Sequence, residues 1–369
     1  MELFMRINKY SWAVLLIILA GAADGASSSR KAYKSDLIVL SPELDSRRPL
    51  ALTDYSGAVL ESDSLFSFSE GGFAFKFDLE TRTPRVWFPV GSKLSVPAVV
   101  QGQNVFLATM AGDIFSFNHD SGALNWKTRL DSYVVKRILI SNGMLYFVNA
   151  GGNVGALEES SGEQKWLTQL INVSNLEVRE TGAIAQERER LYVGARSTVE
   201  VFDVKSGERL GQYQTPKIAG KFGAVIGNIV FRADSVVFSR LDGFVFSFDK
   251  NKYGDLLWSR DLKSSISASL IENSIVNIGL SSGHFLTLDA RSGKQLWKTE
   301  IGGAISQIKP VGSYLYGTTS DGLVVKLEKA SGELVWIDHT QARMFSPPFV
   351  FENSIYFVST MHNIYGYAL

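Results

Sequence analysis

Apolar and polar positions alternate in short runs along this chain, most clearly in GHFLTLDARSGKQLW, Gly283 to Trp297. Phe285, Leu286 and Leu288 make a short apolar strand with Thr287 set among them. Asp289 leaves that strand, and Ser292-Gly293 predicts a hairpin turn whose return strand, Lys294 to Lys298, carries Trp297 as its large anchor. Gly283, after Ser281-Ser282, suits a tight turn that needs positive φ. A hairpin of this size is marginal in water by itself, so the unit has to stack on copies of itself.

The copies are present. Gly112 to Trp126, Gly152 to Trp166 and Gly322 to Trp336 keep the glycine-to-tryptophan offset of 14, while Gly72 to Trp87 and Gly243 to Trp258 are one residue longer. A degenerate copy runs from Ser197 to Gly211, with serine for the first glycine and Gly211 where tryptophan belongs. A last copy starts near His362 and runs out at Leu369. Six of the seven tryptophans stand at the one motif position, which ties them to the repeat.

Motif starts recur about every 40 residues, and each full repeat holds four short strands. In the second these are Pro97 to Val100, Asn104 to Thr109, Asp113 to Asn118 and Ala123 to Arg129. Four strands in such a period predict a propeller blade. A helical solenoid does not fit, because alternation and β-branched or aromatic residues stand where helical periodicity would be. The expected fold is therefore all-β, an eight-bladed β-propeller of four-stranded blades over residues 35–369, with seven blades as the alternative if the degenerate copy is not one. The chain stops at the third strand of the last blade, and Asp36 to Leu40 is a spare strand near the start. That strand is expected to complete the last blade and close the ring, removing an exposed edge.

Ahead of the repeats, Met1 to Ala22 has a basic start (Arg6, Lys9), an apolar core (Trp12 to Ala20) and a small-residue end, which predicts a secretory signal. The apolar run falls short of the ~20 residues a spanning helix needs. Residues 23–34 read as a flexible lead-in. Lys+Arg and Asp+Glu both number 37, which gives no attraction to nucleic acid or anionic lipid. The absence of cysteine excludes disulfides, thiol catalysis and cysteine-ligated metals, and a chain of this length can bury its core without them.

The pattern glycine, three apolar positions spaced as above, an acidic or amide residue, serine-glycine and tryptophan resembles the quinoprotein (PQQ-type) propeller repeat. A single propeller of this length behind an export signal is similar to the BamB family, the propeller subunits of the outer-membrane β-barrel assembly machinery. The resemblance implies a non-enzymatic periplasmic scaffold without a cofactor, bound to a protein partner, the large β-barrel assembly subunit. It also implies that Trp87, Trp126, Trp166, Trp258, Trp297 and Trp336 are structural anchors between blades. Many members of the family have a lipobox ending in cysteine, whereas Leu19-Ala20-Gly21-Ala22 has alanine there. Lipid anchoring at this site is chemically impossible, and association with the outer membrane would run through partners. A quinoprotein dehydrogenase and a generic periplasmic sensor or interaction propeller stand as alternatives.

Candidate chemistry does little to favour an enzyme. Asp78, Asp203, Asp249 and Asp289 are explained by turn chemistry, in which a short carboxylate bonds nearby backbone N–H groups. His119, His284, His339 and His362 make no H-x-x-x-H pair. Gly279-Leu280-Ser281-Ser282-Gly283 matches the G-x-S-x-G nucleophile elbow, but it is expected to join two strands, where the elbow requires a strand-to-helix turn.

The least regular part of the chain flanks the degenerate copy, where motif starts lie 45 and 46 residues apart and the connections carry extra length. Insertions in repeat proteins map to surface loops, often on the binding face. In the BamB family the surface for the large subunit includes the pattern leucine, any residue, leucine, arginine, and Leu176-Glu177-Val178-Arg179 matches it with one conservative change. The resemblance thus implies partner contacts at Leu176, Val178 and Arg179. The alternative is that Leu176 and Val178 belong to the first strand of the fourth blade and face the core. A second, acidic contact of the family has no clear match, since the corresponding stretch reads Ala219-Gly220-Lys221-Phe222.

Overall fold

The computed structural model describes residues 59–61, 64–68, 73–78, 83–171, 184–216, 223–272, 274–340, 343–344, 348–359 and 364–369. The proposed signal, the lead-in and the Asp36 to Leu40 strand lie outside them. In the unit around Gly283 the strands are Ile266–Glu272, Ile275–Leu280, His284–Asp289 and Gln295–Glu300, antiparallel and paired in chain order. Gly283 turns the chain at φ 80° and Gly293 at φ 67°, conformations that a Cβ would strain. The third and fourth strands slip register just after Thr287 pairs with Trp297, a bulge that re-aims the outer strand.

Among the described residues this unit recurs as seven four-stranded sheets and one of three strands. They span 59–89, 99–129, 139–169, 184–214, 225–261, 266–300, 305–339 and 349–368. The degenerate copy is a complete sheet: its strands are Ile184–Glu187, Arg190–Ala195, Thr198–Asp203 and Arg209–Gln214. The last sheet holds Phe349–Phe351, Ser354–Val358 and Ile364–Ala368.

The core is a series of layers between consecutive sheets. One layer joins Tyr146, Val154 and Trp166 of the third sheet to Leu191, Val193 and Phe202 of the fourth. Equivalent layers join fourth to fifth, fifth to sixth and sixth to seventh. First strands of neighbouring sheets lie side by side in most of these pairs, so they form the inner wall and the fourth strands the outside. That radial arrangement is a β-propeller. Because the strands alternate in direction, every sheet-to-sheet connection and every second-to-third turn falls on one rim, here the connection rim. The first-to-second and third-to-fourth turns fall on the opposite, hairpin rim. No helix among the described residues is long and apolar enough to cross a membrane.

Candidate functional site

The motif tryptophans build the joint between sheets. Trp297 Nε1–H donates to the Lys329 carbonyl of the next sheet at 2.9 Å, and Thr299 Oγ1–H donates to the Gly332 carbonyl at 2.6 Å. The ring lies on Gly332, where a Cβ would come within 2.4 Å of it. The same joint is made by Trp126 with Glu159 and Gly162, and by Trp166 with Val204 and Gly207. Glycine in the Ser-Gly turn is therefore a socket for the preceding sheet's ring as well as a turn residue. Trp258 lies on Gly293, with its Nε1 buried and unbonded. Trp336 is half-buried and stacks on Tyr367 at 5.1 Å. Trp87 lies on Thr83–Pro89, the fourth strand of the first sheet.

Around the fourth sheet two charges are buried at the connection rim. Glu200, third in its strand, is fully withdrawn from solvent; Phe115, Phe246, Leu286 and Val325 hold that place elsewhere. Its carboxylate accepts Arg209 Nε–H at 2.9 Å and the Ile171 amide at 3.1 Å, while Arg209 Nη2–H donates to the Gln169 carbonyl at 2.5 Å. Arg240, last in the second strand of the fifth sheet, is 1% exposed and paired with Asp242. It also donates to Thr215 Oγ1 at 2.6 Å and to the Pro216 carbonyl at 3.0 Å. A Cβ at Gly223 would meet its guanidinium at 2.4 Å. These two pairs hold the backbone where the chain leaves the third sheet and where it leaves and re-enters around residues 217–222. Sequence reasoning passed over both, although Glu200 is visible as the one acidic residue in an otherwise apolar or small position of the repeat.

The residues singled out for partner contact, Leu176, Val178 and Arg179, lie outside the described residues, as do Ala219 to Phe222. The alternative reading of Leu176 and Val178 as core-facing strand residues likewise falls outside the described residues, among which the first strand of the fourth sheet is Ile184–Glu187. The mixed-charge run Glu187 to Arg190 forms the hairpin between first and second strands, and Glu187 is engaged by Lys250 of the fifth sheet at 2.8 Å.

Of the aspartates singled out in the repeat, Asp203, Asp249 and Asp289 are committed to turns, and the side chain of Asp78 lies outside what the structure describes. Asp289 accepts the amides of Arg291 and Ser292 and the Ser292 hydroxyl, Asp203 does the same for Lys205 and Ser206, and Asp249 accepts two amides. The Ser292 hydroxyl holds the Asp289 carboxyl below its ordinary range, and the Ser206 amide does so for Asp203. His119 bonds the Gly102 carbonyl, His339 the Asp321 carbonyl and His284 the Ser282 hydroxyl; His362 lies outside the described residues. Gly279 to Gly283 joins two strands of the sixth sheet. Among the described residues no group of three or more His, Cys, Asp or Glu is placed to hold a metal.

The family described as "Outer membrane protein assembly factor BamB" matches residues 65–299 and 283–368. Curated relatives of that name are 22% identical in Yersinia pestis, over 70% of this chain and 57% of that protein, and 22% identical in Bordetella pertussis, over 87% and 94%. Among solved structures, BamB from Moraxella catarrhalis superposes with a TM-score of 0.73 at 17% identity, covering 86% of this chain and 97% of that one. The quinohemoprotein alcohol dehydrogenase ADHIIG from Pseudomonas putida HK5 shares the fold, with a TM-score of 0.66 at 11% identity over 86% of this chain and 75% of its own.

Proposed function

This chain belongs to the BamB family of outer membrane protein assembly factors, and on that premise we propose that it is a non-enzymatic, unlipidated periplasmic scaffold for outer-membrane protein assembly. Its partner is the large β-barrel assembly subunit, docked through Leu176, Val178 and Arg179. Two aliphatic side chains at alternate positions beside an arginine capable of bidentate contacts suit an interface hot spot. The observation that carries the reading is the concentration of departures from the repeat around one sheet: the long connections on both sides and the buried Glu200 and Arg240 that anchor their ends. The propeller has eight blades, and Asp36 to Leu40 supplies the fourth strand of the last, whose sheet has three described strands. A quinohemoprotein alcohol dehydrogenase shares the fold, but here Asp203, Asp249 and Asp289 are occupied by turn amides, which favours the scaffold.

Co-purification of the large subunit with the wild-type protein tests the reading, and Arg179→Glu refines it. A contact role predicts loss of the partner from the pull-down with a nearly unchanged melting temperature. Retained binding by a folded Arg179→Glu protein removes Arg179 from the surface, and a bound quinone spectrum on titration with PQQ and calcium would move the chain to the dehydrogenases.

A further inference from the structure

In the seventh sheet a lysine stands where the repeat elsewhere has a smaller, uncharged side chain. Lys326 pairs across the strands with Tyr316 on one side and Trp336 on the other, whereas Ser116, Ala156, Val201, Ser247 and Thr287 hold its place in the second to sixth sheets. Cross-strand partners share a face, so all three side chains are turned to the last sheet, whose Tyr367 stacks on Trp336. Lys326 is 9% exposed. Its ammonium lies 4.1 Å from the centre of the Tyr314 ring and 5.4 Å from that of Tyr316, and no ion pair offsets the burial that pushes it below the ordinary lysine range. Two rings return only part of the hydration that such a charge loses. The Tyr316 O–H is buried without a partner, and Trp336 lacks the Nε1 bond that Trp126, Trp166 and Trp297 make to the next sheet. Asp338, the acid on the same outer strand, already accepts the Tyr367 O–H at 2.9 Å. The face thus presents an ammonium, a phenol O–H and an indole N–H, three donors with no acceptor set against them.

We propose that this face binds a carboxylate carried on an apolar or aromatic body, with Lys326 as the counter-charge and Tyr316 and Trp336 as hydrogen-bond donors. One lysine balances one negative charge, which suits a carboxylate better than a phosphate dianion. The two oxygens of a carboxylate have lone pairs enough for all three donors. The body lies against Tyr314, which is 36% exposed, and against Trp336, which is half-buried where Trp126, Trp166 and Trp297 are 8% exposed. The site opens at the hairpin rim, since Tyr314 begins the strand that follows a first-to-second turn. It does not depend on the docking residues proposed above.

Two sources can supply the carboxylate: a separate molecule, or the chain's own segment ahead of the first sheet, where Asp36 begins the strand expected to complete the last blade. The probe is sodium phenylacetate, with phenylacetamide as its neutral control, titrated into the full-length protein while the isotopically labelled Cε of each lysine is followed by NMR. Lys326→Met assigns the signal and keeps the volume of the stem, so its melting temperature should equal or exceed that of the wild type. Phenylacetate is expected to shift the Lys326 signal saturably and to move its titration to higher pH, as an opposite charge does. Phenylacetamide should do neither, and Tyr316→Phe should weaken phenylacetate binding about tenfold, the loss of one hydrogen bond to a charged group. A saturable response confined to Asp36→Asn also supports the site and gives the chain itself as the source of the carboxylate. Absence of a saturable response in both the wild type and Asp36→Asn, or an equal response to phenylacetamide, overturns the proposal.

Discussion

The seam between the sixth and seventh sheets and the seam between the fourth and fifth solve the same packing problem with opposite parts. In the first, the ring is on the outer strand and the glycine on the receiving turn: Trp297 lies on Gly332. In the second, the glycine is on the strand and the ring on the turn, for Tyr253 enters the place that Gly211 leaves empty, where a Cβ would be 2.5 Å from its ring. The polar half of the joint is also preserved by substitution. Tyr213 O–H donates to the Lys250 carbonyl at 3.0 Å, the bond Trp297 Nε1 makes to Lys329. Both seams keep a lysine reaching back to a glutamate of the preceding sheet, Lys250 to Glu187 at 2.8 Å and Lys329 to Glu272 at 3.1 Å. In these two seams the joint combines filled volume with one satisfied carbonyl, which a tyrosine supplies as well as a tryptophan, whereas Trp258 fills the Gly293 socket without the bond.

Removing the ring from the regular seam should have the largest effect. Trp297→Ala empties the socket, strips the donor from the Lys329 carbonyl, and is expected to cost about 3–5 kcal/mol. Urea unfolding followed by circular dichroism measures it, and a midpoint equal to wild type would mean that the tryptophan does not carry the joint.

Exchanging the parts of the irregular seam tests whether the two joints are equivalent. Gly211→Trp alone drives an indole into Tyr253 and should cost about 1–3 kcal/mol by overpacking. Combined with Tyr253→Gly, which clears the socket, it should recover most of that loss, a favourable coupling of about 2 kcal/mol in a double-mutant cycle. Additive losses would show that the fourth-to-fifth seam is a different structure rather than the same joint with its large and small partners exchanged.

The reach of the sequence differs between these seams for a physical reason. Strand positions and the regular joint are local: alternation sets the strand, Ser-Gly sets the turn, and the tryptophan recurs at a fixed spacing, so the expected strand Asp113 to Asn118 is the observed one. The degenerate copy left seven blades open because the replacement for its tryptophan is not local. Tyr253 sits in the longer turn of the next repeat, and only the fold brings it against Gly211. Glu200 was legible as a charge at an apolar position, but its partners Arg209 and the Ile171 amide come from two sheets, which spacing cannot reveal. The residues proposed for docking rest on a motif in the sequence alone, since Leu176, Val178 and Arg179 lie outside the described residues.

The smallest change separates the two ways of satisfying the joint's carbonyl. Tyr213→Phe keeps the ring and deletes the O–H, so near neutral pH it should cost about 1 kcal/mol, the net worth of one hydrogen bond. It also removes a pH response that the indole joint cannot have. Burial raises the Tyr213 phenol above its ordinary value of 10.0, so in the folded protein it stays protonated where the unfolded chain has begun to ionise. Below that value both states carry the proton and the difference contributes nothing. As pH rises past it the unfolded state binds fewer protons than the folded one, and stability falls. The wild type should therefore lose stability more steeply than Tyr213→Phe above about pH 10, and the gap between the two should narrow as the pH rises. Parallel losses in both proteins would assign the alkaline sensitivity to other buried phenols, such as Tyr316, which burial pushes up to about 12, and would leave the Tyr213 hydroxyl as a space-filling group.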